Sequence, residues 1–363
     1  FSNMINFCLE KETEKRGFPL QNPADKRDRS IDLLKTLAIF GVLTIHTCTL
    51  GYQHPVGSFS WLSTVFWGSV VRASVPIFLM CSGALLLHPD HALPLKKLYG
   101  KNILRLLAAM LVWAMAYQCY HLAMDHAFTA ANLWQSLKEV LLFKQEFHFY
   151  YLHIMLLVYV FLPVTRNFVQ HADRRMLQYF LILWFALGIL YPTLRPFWPF
   201  SLLGGIPAQW LMNMTYASIG YGVLGYYLKR YPFCFGAGLG LFAGGFLFVF
   251  GATWIMSLRA GTLYAEFLEG MSVGVAGMAA GLFSMAVQGR TPCPRSCAQL
   301  SRASFCIFLV HMFFMYTFNE LGATVLIGPC LLTIPTSVLC NLVLSFLVYL
   351  ILSRIPVIKK YLV

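Results

Sequence analysis

The stretch IDLLKTLAIFGVLTIHTCTLGY, residues 31–52, decides the fold class. Its two full charges, Asp32 and Lys35, sit at its start, and the rest runs apolar for the length a helix needs to cross a bilayer, about 20 residues. Nine further runs of this kind follow, at 61–87, 102–124, 149–169, 176–194, 209–228, 234–256, 264–287, 302–320 and 332–353. The expected fold is all-α: a polytopic membrane protein with about ten transmembrane helices. It divides into a polar cytosolic tail over residues 1–29 and one transmembrane domain over 30–363. The composition agrees, with 58% hydrophobic and only 11% charged residues, against roughly 25% charged in soluble domains. The first apolar run is long enough to stay as a span rather than be removed as a leader. Between the third and fourth runs, Leu133-Trp134, Leu137 and Val140-Leu141-Leu142 form an amphipathic stretch suited to the membrane interface.

The charge census gives an orientation. The net charge is +13, which alone invites a nucleic-acid reading. With the amino terminus placed in the cytosol, however, twenty of the 27 Lys and Arg fall on the tail and the even-numbered loops. Four face the other side (Lys138, Lys144, Arg195 and Arg259), and Lys35, Arg72 and Arg105 lie within or at the ends of spans. This is the positive-inside pattern, with both termini cytosolic. The basic excess is topogenic, and no nucleic-acid partner is expected.

Ionisable groups at membrane depth mark functional candidates. From the rise of about 1.5 Å per residue, His46 lies roughly 20 Å from the inner boundary and Arg72 roughly 16 Å from the outer one. His311 also falls near mid-depth, so three polar groups from three helices share one level and imply an internal cavity. Lys35 and His46 are eleven residues apart, close to three helical turns, which puts both on one face, with Asp32 able to pair with Lys35. Geometry alone leaves His46 either as a buried base or as a hydrogen-bond donor to a neighbouring helix. It leaves Lys35 and Asp32 as part of a site or as a helix-end anchor. In RASVPIFLMCSG, residues 72–83, Pro76 is expected to bend the second span. Ser82-Gly83 admits either a thin ligand or a closely packed helix. The ten cysteines are scattered. Only Cys293 and Cys297 form a C-x3-C pair, and without a second pair no metal site is expected.

Asp32-x2-Lys35-x10-His46, followed by Arg72-x3-Pro76-x-Phe78-x3-Ser82-Gly83, resembles the opening motifs of the acyltransferase 3 family. His148-x-Tyr150-Tyr151-Leu152…Tyr159-x3-Pro163 and Ser301-Arg302-Ala303-Ser304…His311 are similar to its later segments, so the resemblance covers nearly all of 30–353. Arg72-x-Ser74-Val75-Pro76 and Arg259-x-Gly261-Thr262-Leu263-Tyr264 are most similar to the branch that contains the O-acetyltransferase of enterobacterial common antigen. The resemblance implies transfer of an acetyl group from cytosolic acetyl-CoA to a hydroxyl of an envelope glycan or lipid-linked glycan, in the bacterial cytoplasmic (inner) membrane. It implies no metal. It assigns His46 as general base or transient acyl carrier, for which the imidazole must be neutral. Arg72 becomes the oxyanion or acceptor contact, with Asp32 and Lys35 completing the catalytic stripe. Lys97, Lys101 and Arg105 supply countercharge for CoA phosphates, although solvated anchoring explains these three equally well. Ser82 and Gly83 are expected beside the cofactor. His148, at the outer rim, is expected to face the acceptor together with Tyr150, His311 and Glu269. Membrane lipids and the glycan acceptor are the expected partners, and a homodimer is left open.

The sequence departs from the family pattern at Asn102, where an Arg is frequent, at Ala84, where an aromatic is common, and at Tyr150, which replaces a usual Trp. The rival reading is a transporter or export component for a glycan or lipid. It lacks the matching broken helices of inverted repeats. The orientation predicts that a reporter active only outside the cytosol is silent when fused after Lys229 or Arg354 and active after Lys144 or Arg259. The reverse pattern would contradict it.

Overall fold

The computed structural model describes residues 28–89, 93–289 and 294–362. The tail up to residue 27 and Cys293 lie outside them. Among the described residues all regular structure is helical. The main elements are α1 (Arg29–Gly51), α2 (Phe59–Val70), α3 (Ser74–Leu86), α4 (Leu104–Met124), α5 (Ala130–Leu141), α6 (Tyr150–His171), α7 (Arg174–Phe185), α8 (Met214–Arg230), α9 (Phe235–Ala260), α10 (Val273–Val287), α11 (Arg295–Glu320) and α12 (Cys330–Leu352).

Short polar side chains start these helices by satisfying amide groups that have no intrahelical partner. The Asp28 carboxylate accepts from the amides of Ser30 at 3.0 Å and Ile31 at 3.3 Å. Asp173 does the same for Met176 at 2.7 Å, and Asn213 for Thr215 at 2.8 Å. Asp28 also pairs with Lys229, which ties the start of α1 to the end of α8.

Nine helical segments among the described residues are long and apolar enough to cross a membrane. The protein is an all-α, polytopic membrane protein, as expected. The expected span at 209–228 is the one that falls short by length. It folds as α8, 17 residues long, because the chain before it is taken up by 3-10 turns at Phe200–Leu202 and Ile206–Trp210. α8 is nevertheless central. The Trp184 indole of α7 donates to the Ala217 carbonyl at 2.7 Å, and the Tyr221 hydroxyl donates to the Gly270 carbonyl at 2.5 Å.

The second expected span differs in a way that matters for the site. It does not bend at Pro76; it breaks at Val71–Ala73 into α2 and α3. Pro76 then falls in the first turn of α3, where its missing N–H removes no helix hydrogen bond. The break sets Arg72 on non-helical backbone. The amphipathic stretch after α4 forms α5, whose Thr129 cap accepts from the Asn132 amide. Ser136 and Val140 face the bundle, whereas Trp134, Leu137 and Leu141 are exposed on another face, as an interfacial helix requires.

α3 and α8 meet backbone to backbone. A Cβ at Gly83 would overlap the Gly222 carbonyl oxygen, and one at Gly225 would overlap that of Met80. Of the two readings of Gly83, the structure shows the packing contact. Overpacking a filled core costs about 1–3 kcal/mol, so Gly83→Ala and Gly225→Ala should each lower the Tm by several degrees. Gly240→Ala on α9, where no atom lies within 4 Å of an added Cβ, should leave it unchanged. Equal Tm values for Gly83→Ala and Gly240→Ala would contradict this packing.

Candidate functional site

α1 carries His46 about 25 Å along its axis from Arg29, by the rise per residue. There it meets two other imidazoles. Ring centroids are 5.1 Å apart for His46 and His311, 5.3 Å for His148 and His311, and 6.1 Å for His46 and His148. All three rings are buried, His148 and His311 at 0% exposure and His46 at 8%. Phe147 packs edge-on against His46 at 5.2 Å, and Phe308 against His148 at 5.7 Å. The walls of the cluster are thus aromatic and water-poor.

His46 also lines a cavity of about 660 Å³, counting its open mouth. Val42 and Ile45 of α1, Val75 and Phe78 of α3, and Tyr151 and Phe308 form its apolar walls, and the polar groups are His46, Arg72, His148, Tyr150 and Glu269. The Arg72 Nε donates to the carbonyl of Leu268, in the short turn before α10. This bond holds the guanidinium at the cavity wall and joins the break after α2 to a second irregular segment. Non-helical backbone at membrane depth is tolerated where it lines such a cavity. Tyr150 is 42% exposed, and Glu269 is exposed too, so both lie toward the mouth.

The structure therefore brings together His46, Arg72, His148, Tyr150 and Glu269 on one cavity. Two of the sequence-predicted site residues differ in detail from expectation. His148 is not at a rim, because the 3-10 turn Phe147–Phe149 that precedes α6 folds it inward until it is fully enclosed. His311 does not line the cavity. It stands behind His46 and His148, its Nδ1 2.8 Å from the Phe308 carbonyl.

The remaining candidates lie elsewhere. Asp32 is buried and Lys35 half-buried on α1, about 21 Å and about 16 Å below His46 by the rise per residue. Lys97 and Lys101 are exposed in the turns that lead into α4, and the Arg105 guanidinium lies 5.8 Å from the Phe305 ring centroid. None of these lines the cavity. The Ser82 hydroxyl donates to the Phe78 carbonyl at 2.9 Å. Ser82 and Gly83 border a smaller, shallow space, about 270 Å³ counting the part open to the outside, together with Val158, Leu162 and Gly222. This space lies along α3 and α6 one to two turns from Phe78 and Tyr151 of the main cavity.

Sequence reasoning missed the group that holds His148 in place. Glu146 Oε1 accepts from His121 Nε2 at 2.8 Å, and Oε2 accepts from the Tyr316 hydroxyl at 2.6 Å. The Phe149 amide donates to the Glu146 carbonyl at 2.9 Å. Glu146 thus ties the ends of α4 and α11 to the turn that inserts His148. Beside it, Tyr117 stacks on Phe313 at 3.8 Å and meets His148 edge-on at 5.4 Å. The available signal was the rarity of acids: the chain has 14 Asp and Glu in all, and one stands two residues before His148.

Among the described residues no group of His, Cys, Asp or Glu side chains is arranged to hold a metal ion. A bundle of membrane-crossing helices with a polar cavity at its heart defines a polytopic membrane protein with an internal site. The sequence model of the acyltransferase 3 family, described as an acyltransferase domain, matches residues 28–354, and the chain belongs to that family. It is by that membership a membrane acyltransferase. No match was found among curated proteins or solved structures.

Proposed function

We propose that this acyltransferase moves an acetyl or similar short acyl group from acetyl-CoA, supplied from the cytosol, to a hydroxyl of an envelope glycan or lipid-linked glycan, and that it does so in the bacterial inner membrane. The observation that carries this reading is an imidazole, His46, lining one cavity with a guanidinium, Arg72, that the Leu268 carbonyl holds in place. Acyl transfer to an alcohol needs a base for the hydroxyl proton and positive charge for the oxyanion that forms at the carbonyl.

His46 takes the hydroxyl proton as the acceptor oxygen attacks the acyl carbonyl. Arg72, oriented by Leu268, lies where negative charge develops, and its fixed position lowers the reorganisation required during reaction. The CoA thiolate is the leaving group and receives the proton. The aromatic and aliphatic walls keep out water, which would otherwise hydrolyse the thioester. Tyr150 and Glu269 at the mouth suit a sugar, which offers a ring face to stack and hydroxyls to donate. The smaller space beside Ser82 and Gly83 lies along the same helices toward the end of the bundle where α1 begins with Asp32 and Lys35. It supports entry of a thin pantetheine arm from that end, with Lys35, Lys97 and Lys101 near the phosphates. Within the family we place the chain nearest the enterobacterial common antigen O-acetyltransferase branch. The similarity of Arg72-x-Ser74-Val75-Pro76 and Arg259-x-Gly261-Thr262-Leu263-Tyr264 to that branch supports this placement.

Membranes containing the protein should transfer label from radiolabelled acetyl-CoA into a glycan or lipid fraction. His46→Ala should reduce this transfer by about 100-fold or more, the lower range for losing a general base, while the Tm stays near that of the parent. Undiminished transfer by His46→Ala would remove His46 from the mechanism, and a transporter would leave no label in either fraction.

A further inference from the structure

We infer that His311 is the positioning residue for His46: its Nε2 accepts a hydrogen bond from one ring nitrogen of His46 and so leaves the other as the lone-pair base toward the cavity. The inference rests on the acyl-transfer reading for its kinetic consequence, but its structural content is independent of that reading.

The argument starts from the backbone. A carbonyl oxygen only accepts, so the 2.8 Å contact between His311 Nδ1 and the Phe308 carbonyl fixes the proton on Nδ1. In the neutral ring Nε2 then carries a lone pair. That nitrogen is buried and has no partner among the described residues, a state that forfeits its solvation with nothing in return. The ring itself is anchored from behind. Asn341 Nδ2 donates to the His311 carbonyl at 3.0 Å, and the Ser345 hydroxyl donates to Asn341 Oδ1 at 3.0 Å, so α12 fixes the turn of α11 that presents His311.

The nearest imidazole is His46. With centroids 5.1 Å apart, the two rings are close enough for an N–H···N hydrogen bond of about 3 Å once the nitrogens face each other. The planes are tilted by 36°, and the ring torsion χ2 is broad, so a modest rotation of His46 completes the pair. His148, at 5.3 Å and 76° with both ring nitrogens buried and unpartnered, is the rival donor, and the ring shifts below distinguish the two. The arrangement is that of a base oriented by a third group, with an imidazole lone pair in the orienting position. His311 does not touch the cavity, which is what separates positioning from contact with substrate.

The two amide substitutions separate this role from a structural one. The longer amide of His311→Gln puts an acceptor where Nε2 stood, whereas His311→Asn restores only the Nδ1 contact to Phe308. In protein labelled with 15N-histidine and held in nanodiscs, the ring shifts of His46 should report one dominant tautomer in the parent and in His311→Gln, and a mixed population in His311→Asn and His311→Phe. In acetyl transfer, His311→Gln should keep kcat within about tenfold. His311→Asn should lose roughly 100-fold, a typical general-base factor, with KM for acetyl-CoA unchanged in both. Equal kcat for the Gln and Asn variants at similar Tm would overturn the inference, as would a tautomer change at His148 instead of His46. If the parent protein transfers no acyl group, the proposed function falls, while the nitrogen shifts still decide the pairing.

Discussion

Arg72 and its bond to the Leu268 carbonyl hold together the part of the bundle that is not helix. Inside a bilayer a broken helix exposes amides and carbonyls that water cannot reach, and each such group is costly unless the protein satisfies it. The break after α2 and the turn before α10 are both irregular, and the guanidinium ties one to the other. Arg72, Leu268, Glu269 and Gly270 of these segments line the cavity. A charged group at this depth also needs internal partners, and the Leu268 carbonyl is one for Arg72.

His46 and His148 line the same cavity as Arg72, with His311 behind them. His46 comes from the last third of a long helix, His311 from another packed beside it, and His148 from a turn tied down by Glu146. Aromatic rings close the spaces between them: Phe147, Phe308 and the Tyr117–Phe313 stack, each such pair contributing about 0.5–1.5 kcal/mol beyond its buried area. The imidazole cluster is therefore buried and assembled from several helices. On the proposed reading, burial of this kind lets one base and one cation act on a thioester with less competition from water.

Much of this was legible in the sequence, for identifiable reasons. Apolar runs of bilayer length report spans directly, and a constant rise per residue placed His46 and Arg72 at one level before any contact was known. The amphipathic stretch that became α5 was equally plain. The break at Val71–Ala73 was not, because a proline reads as a kink until it is known whether it stands inside a helix or at its start. The inward turn of His148 depends on Glu146 meeting His121 and Tyr316, residues 25 and 170 positions away, and local pattern carries no such pairing. Gly83 allowed either a ligand or a closely packed helix, and the packing of α3 on α8 brings Gly222 against it.

The central claim is that an acyl donor reaches His46 through the interior of the bundle. A cryo-electron microscopy map with a non-reactive thioether analogue of acetyl-CoA tests it most directly. The account predicts the analogue's carbonyl between His46 and Arg72, its arm beside Ser82 and its phosphates toward Lys35. An arm bound elsewhere, with the His46 ring turned to lipid or sealed from the donor, would contradict it.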